Sequence, residues 1–355
     1  MRALTVRPGQ RGSLRVEDVP DPRPAEGEIL AEGLALGICG TDREIVAAGY
    51  GEAPPGDDLL ILGHESLGRV RTAPAGSGFQ PGDLIAGVVR RPDPVPCPAC
   101  AHGEFDMCRN DRYTERGIRK LHGYGSELWT VEPEYAIKID PELADLGVLL
   151  EPASVLAKAW DHIERIGSRA WFGPNRVLVT GAGPIGLLGA LMSRQRGLEV
   201  HVLDVVTSGP KPELVRALGA TYHSTSVKEV VAEAEPDIII EATGVASVVF
   251  DAMENNAPAG IVCLTGVSPV NRHLRVDAGT LNRYIVLDND VIFGTVNANV
   301  RHHELAAHAL AEADPGWLEG LISRRVPLEK APEALEPRED DVKVVVGLSE
   351  EVLTA

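Results

Sequence analysis

The run RVLVT (176–180) passes without a break into GAGPIG (181–186), and no other stretch of the chain restricts its fold so tightly. An apolar run of that length reads as a strand buried on both faces, and G-x-G-x-x-G directly after a strand reads as a strand-to-helix turn. LLGALMSRQRG then has helical spacing and ends on glycine, and LEVHVLD (198–204) supplies a second buried strand. In such a βαβ unit Gly181 makes the tight turn and Gly183 lets backbone approach a pyrophosphate. Gly186 lets helix pack on strand, and the helix N-terminus faces the negative charge. Glycine is frequent here, at 37 residues, so the pattern alone is weak. Its place between strand and helix favours a dinucleotide over an unliganded turn. Asp204, at the end of the second strand, is placed to accept hydrogen bonds from a ribose and to repel a 2′-phosphate. NAD is therefore expected over NADP, with Lys211 keeping NADP open.

Two styles of sequence divide the chain. Up to about residue 150 it is rich in Gly and Pro, with short alternating strands such as GRVRTA (68–73) and DLIAGVV (83–89), the texture of a small β-rich, barrel-like domain. Later, PDIIIEATG (236–244), GIVCLTGV (260–267) and VIFGTVNAN (291–299) continue the buried strands of a doubly wound parallel sheet. The fold class is α/β, and the tail after about 300 must either extend that sheet or return to the first domain.

A length of 355 residues suits two domains. No apolar run is long enough to span a membrane. The N-terminus, MRALTVRPGQ, alternates like a strand and lacks a signal peptide's apolar stretch, so a cytoplasmic location is expected. A formal charge of -18, from 52 acidic and 34 basic residues, argues against a nucleic-acid partner. Three of the five cysteines, Cys97, Cys100 and Cys108, lie within twelve residues. In a reducing compartment that clustering favours metal over disulfide.

GICGTD (37–42) sets Cys39 between glycines and beside Thr41 and Asp42, and GHE (63–65) sets His64 and Glu65 together after an apolar run. Glu151 stands in LLEPAS at the boundary between the two styles. Thiolate, imidazole and carboxylate form a donor set that zinc accepts. Singly, Cys39 reads equally well as buried filler, His64 as a core histidine and Glu65 as a surface acid.

Taken together, GICGTD, GHE, the cysteine lobe, the EP of LLEPAS and GAGPIG resemble the zinc-dependent medium-chain alcohol dehydrogenases over essentially the whole chain. GTDREIV (40–46), VVRRP (88–92), the ERG of YTERGI (113–118), HGYGSE (122–127) and GTVN (294–297) are most similar to the archaeal-type glucose 1-dehydrogenases within that family. The resemblance implies a GroES-like catalytic domain (1–153 and 300–355), a Rossmann dinucleotide domain (154–299) and a cleft between them. It also implies oxidation of an aldose at C1 to a lactone, with hydride passing to NAD or NADP.

By position, Cys39, His64 and Glu65 become ligands of a catalytic zinc, with Glu151 close enough to bind the metal, its water or a sugar hydroxyl. Thr41 becomes the hydroxyl that relays the substrate proton, and Glu115 and Asn297 hold sugar hydroxyls. The cofactor is expected on Gly181, Gly183, Pro184, Ile185, Gly186, Asp204, Thr243, Thr265, Gly266, Val267, Thr295 and Asn297. The lobe reads C-x2-C-x7-C, one thiolate short of the family's four, with Pro94 where the first would stand. Asp93 is the expected fourth donor to a structural zinc; His102, Asp106 and Asp111 are alternatives, as is a lobe folded without metal. A homodimer or homotetramer is implied. A polyol, threonine or simple alcohol dehydrogenase, a non-catalytic NAD-sensing homologue and a zinc-free quinone or enoyl reductase are the competing readings.

Overall fold

A computed structural model describes residues 1–270 and 273–353. It resolves into two compact units, Met1–Ser154 with Asn297–Ala355, and Val155–Val296. The first division falls inside the helix Leu150–Gly167, one residue later than expected. The second falls three residues earlier than expected, so Asn297, Ala298 and Asn299 belong with the first unit. The cause is polar: Asn297 Nδ2 donates to Glu115 Oε1 at 2.8 Å, and Asn299 Nδ2 donates to Asp106 Oδ1 at 2.9 Å.

The first unit is GroES-like and β-rich, organised on the long strand Ile29–Ile38. Glu65–Thr72 and Leu128–Val131 pair with this strand antiparallel, and so does Lys343–Gly347 from the far end of the chain. The tail therefore returns to the first unit's sheet. Ile29, Leu36, Leu62, Trp129 and Val346 share one apolar core there.

The second unit carries the Rossmann sheet. Its six parallel strands run in the order Thr221–His223, Glu199–Leu203, Arg176–Thr180, Ile238–Glu241, Ile261–Leu264, Val291–Gly294. In chain order that is 3-2-1-4-5-6, so the order reverses beside Arg176–Thr180, the crevice where such sheets bind ligands. Among the described residues, no helix is long and apolar enough to cross a membrane.

Candidate active site

Cys39 stands where the strand Ile29–Ile38 gives way to the helix Gly40–Val46. Register puts Gly37 opposite Glu65 on the neighbouring strand. A Cβ on Gly37 would lie 2.1 Å from Glu65 Oε2, so only glycine lets that carboxylate cross the strand toward Cys39. Gly63, with φ at +94°, makes the turn that delivers His64 and Glu65. Asp42 joins the pieces: Oδ2 accepts from the Cys39 amide at 2.8 Å, and Oδ1 faces His64 Nδ1 at 3.5 Å. The Cys39 sulfur, a His64 ring nitrogen and a Glu65 oxygen all lie within 4.8 Å of one another.

The surroundings are short of positive charge. Asp42, Glu65 and His64 are buried, and Lys343 is buried with them. Lys343 Nζ donates to both Glu65 oxygens, at 2.6 and 2.5 Å. Burial works against the Lys343 ammonium, but Glu65 and Cys39 outweigh it and its pKa rises. Burial likewise opposes protonation of His64, yet Asp42 and Cys39 raise its pKa well above the ordinary value. Glu151, half-buried, is pushed up to about 7 by desolvation, with Glu65 and Asp42 adding repulsion against the pull of His64 and Lys343. Its carboxylate is not one of the three converging donors, but it belongs to their electrostatic neighbourhood.

These residues fit a zinc ion. Among the described residues the buried His64 Nδ1 and Asp42 Oδ1 have no other partner and face each other at 3.5 Å, the place a carboxylate takes behind a metal-binding histidine. Three ligands from Cys, His and Glu, with a position left over, are what a catalytic zinc site offers. Thr41 Oγ1 lies 3.9 Å from the Cys39 sulfur, at the edge of the cluster.

Glu115, on the strand Thr114–Arg116, is 4% exposed. Arg90 Nε and Nη2 donate to its Oε1 at 3.1 and 2.8 Å, and Asn297 adds a third donor to the same oxygen. Asn297 holds φ at +62°, a left-handed conformation that Asn tolerates. Arg90 also donates through Nη1 to the Asp106 carbonyl and lies over the Tyr113 ring. Among the described residues Oε2 of Glu115 has no hydrogen-bond donor. The structure thus brings Glu115 and Asn297 together, within one unit.

In the cysteine lobe the sulfurs of Cys97, Cys100 and Cys108 lie within 4.8 Å of one another, and all three cysteines are free. The amides of Cys100 and Arg109 pull the Cys97 thiol down to about 7, while burial raises that of Cys100 to about 11. The Asp93 carboxylate does not join them. Its Oδ1 accepts from the Val95 amide at 2.8 Å, and its Oδ2 accepts from Asn110 Nδ2 at 2.9 Å and Arg112 Nε at 3.1 Å. Asp93 braces the lobe's entry, and its carboxylate is not among the three converging donors.

In the second unit Gly181 has φ at +91°, and a Cβ on Gly186 would fall 1.7 Å from the Gly181 carbonyl oxygen. A Cβ on Gly183 would meet nothing within 4 Å, so there the glycine leaves room for something other than protein. Pro184 and Ile185 open the helix Pro184–Gln195. Asp204 sits beneath this turn: Oδ2 accepts from the Ala182 amide at 2.7 Å and Oδ1 from the Val205 amide at 2.7 Å. Lys211 Nζ lies 3.9 Å from Asp204 Oδ2. Glu241, fully buried, accepts from the Thr243 amide and hydroxyl and from the Gly244 amide, and its carbonyl accepts from the amides of Thr265 and Gly266. It gathers two of the expected cofactor loops on one residue. Val267 is exposed, and the buried Thr295 hydroxyl has no partner among the described residues.

Residues 144–348 match the family described as glucose dehydrogenase C-terminus, more than half the chain, and residues 25–141 match the alcohol dehydrogenase GroES-like domain. The chain belongs to the glucose dehydrogenase family of zinc-dependent alcohol dehydrogenases. A glucose 1-dehydrogenase of Methanocella arvoryzae is 42% identical over 98% of this chain and 99% of its own. That of Thermoproteus tenax is 39% identical over the same shares. The Haloferax mediterranei glucose dehydrogenase, solved in complex with NADP, Zn and gluconolactone, superposes with a TM-score of 0.91 at 32% identity. It covers 98% of this chain and 99% of that one.

Four residues escaped the sequence reading: Asp42, Arg90, Glu241 and Lys343. Asp42 had a signal, since a metal-binding histidine usually gives its second nitrogen to a carboxylate and GICGTD offers one. Arg90 stood in the quoted VVRRP without a partner assigned. Glu241 and Lys343 look like ordinary members of buried strands.

Proposed function

We propose that this chain oxidises an aldose at C1 to the lactone, glucose being the first substrate to try, and passes the hydride to NADP or NAD. The observation that carries the reading is Glu115: one oxygen is saturated by Arg90 and Asn297, and the other is left as an acceptor. A buried carboxylate so arranged suits a polyhydroxylated ligand and discriminates against a simple alcohol, which would leave it unpaired. The glucose dehydrogenases among the relatives, and the Haloferax complex with gluconolactone, point to the same substrate class.

Cys39, His64 and Glu65, with Glu151 in reserve, would hold a zinc ion. When bound it would supply a Lewis acid that lowers the pKa of the reacting hydroxyl. Asp42 fixes the His64 ring, and Lys343 offsets the Glu65 charge. Thr41 Oγ1 would accept the hydrogen bond of the reacting hydroxyl and pass its proton outward. In the other unit the glycine turn would take the pyrophosphate, and Lys211 beside Asp204 supports NADP alongside NAD. A cytoplasmic homodimer or homotetramer completes the proposal.

The test is a panel of aldoses, polyols and simple alcohols with each cofactor, followed at 340 nm with and without a chelator. Turnover of a simple alcohol in preference to every aldose, or activity that survives removal of all metal, would sink it.

A further inference from the structure

Glu241 closes the strand Ile238–Glu241 and stands in register with Thr180, the last residue of Arg176–Thr180. Those two strands flank the point where the sheet order reverses, so Glu241 stands at the crevice where such sheets take their ligand. The residue is fully buried. Its Oε1 accepts from the Thr243 amide at 2.8 Å, from the Thr243 hydroxyl, from the Gly244 amide at 3.2 Å and from the Thr180 hydroxyl at 3.3 Å. Its Oε2 shares the Gly244 amide at 3.2 Å. Every one of these bonds is accepted and none is given, which is the pattern of an ionised carboxylate. Among the described residues no Lys, Arg or His forms an ion pair with it. The carbonyl of the same residue holds a second turn, accepting from the Thr265 amide and hydroxyl, both at 2.8 Å, and from the Gly266 amide at 3.0 Å. The two turns meet glycine to glycine. A Cβ on Gly266 would fall 2.1 Å from the Gly244 nitrogen and 2.7 Å from Glu241 Oε2.

A buried charge without a counter-ion is costly, and amide and hydroxyl donors offset only part of that cost. At a ligand crevice the cost falls when the ligand brings a positive charge. Of the two redox forms of a nicotinamide dinucleotide, only the oxidised one has a cationic ring. We propose that Glu241 is a positioning residue that also sets redox preference. It fixes the Thr243–Gly244 and Thr265–Gly266 turns, and its charge favours the oxidised cofactor over the reduced one. The inference rests on the dinucleotide half of the proposed function and is independent of the sugar. Adenosine and pyrophosphate are common to both forms, so the ratio of their dissociation constants isolates the ring. A residue that only held the turns in shape would change both constants together and leave the ratio alone.

The test is calorimetric titration of the full chain, without substrate, with NAD+ against NADH and with NADP+ against NADPH. The pair that the unaltered chain binds more tightly is the one compared. Glu241→Gln keeps the size of the side chain and removes its charge. It should weaken the oxidised form about tenfold more than the reduced form, the order of effect that a buried unit charge exerts at an effective protein dielectric. Thr180→Val is the second variant, and it carries the test if the glutamine chain does not fold. It keeps the charge and takes away one of its donors, so the ratio should move the opposite way, further toward the oxidised form. A ratio unmoved by Glu241→Gln, even with both forms bound more weakly, reduces Glu241 to a scaffold and overturns the proposal. A ratio that Thr180→Val leaves unmoved or shifts toward the reduced form also overturns it. Failure of the unaltered chain to bind any of the four dinucleotides would instead remove the dinucleotide reading, and this inference with it.

Discussion

Replacing Glu115 by Gln separates the sugar reading from a purely structural one, because the two oxygens of this carboxylate have different work. Oε1 receives Arg90 twice and Asn297 once, and a glutamine carbonyl at that place keeps those contacts in weakened form. The other oxygen becomes an NH2 group, so the acceptor proposed to meet the sugar becomes a donor. A hydrogen bond to a charged group is worth about 1.5–3 kcal/mol, which corresponds to a loss of roughly tenfold to a hundredfold in kcat/KM for aldoses. Oxidation of a simple alcohol, where measurable, should change little. The substitution also strips Arg90, 8% exposed, of its counter-charge. Leaving one partner of a buried pair alone typically costs about 3–5 kcal/mol, eased here by the Asp106 carbonyl and the Tyr113 ring. Arg90→Met should therefore destabilise comparably, and Arg90→Met with Glu115→Gln should recover part of the thermal stability without recovering aldose turnover. Steady-state kinetics on glucose and on a simple alcohol, beside thermal unfolding of all three variants, makes the comparison. Parallel losses on both substrates, or recovery of aldose turnover together with stability in the double variant, would leave Glu115 only a structural role.

Three further outcomes are expected. Cys39→Ser or His64→Ala should abolish turnover and lower the metal content, while NAD(H) binding measured by fluorescence survives, because the dinucleotide turn lies in the other unit. Asp204→Ala should weaken NAD and NADP together, since it removes the acceptor of the Ala182 amide within the glycine turn; a clean switch of preference with unweakened binding would show that the carboxylate reads only the ribose. Glu151, pushed up to about 7 against an ordinary 4.5, binds its proton more tightly folded than unfolded. The stability this lends the metal-free protein is full below pH 4.5 and lost as pH rises through 7. Glu151→Gln should then stabilise the metal-free protein at pH 8 relative to wild type by on the order of 2 kcal/mol, discounted for partial exposure, with little gain at pH 4.5. Equal effects at both pH values in denaturant unfolding would refute the assignment.

What could be read in advance, and what could not, follows the range of each interaction along the chain. The glycine turn was legible because its parts are neighbours: Gly181, Gly183 and Gly186 follow their strand and open their helix within six residues. Cys39, His64 and Glu65 were legible as residue types in short motifs, but the reason for Gly37 was not, since it depends on that glycine facing Glu65 across two strands. Asp93 is hard to read for the opposite reason. Adjacency to Pro94 made it the natural fourth donor, whereas Asn110 and Arg112, beyond the lobe, claim its carboxylate. Lys343 is the extreme case. It lies 278 residues from Glu65 and reaches it only because Val344 and Val345 pair with Ile38 and Gly37, which sets the preceding lysine beside the start of the Glu65 strand. A register shift of one residue would turn that side chain to the opposite face of the sheet and leave Glu65 buried without its cation. The charge balance of the candidate metal site is therefore set by a strand pairing that no local pattern announces. A chain that kept every short motif but lost the Lys343–Glu65 pair would carry the same signature with a different electrostatic site.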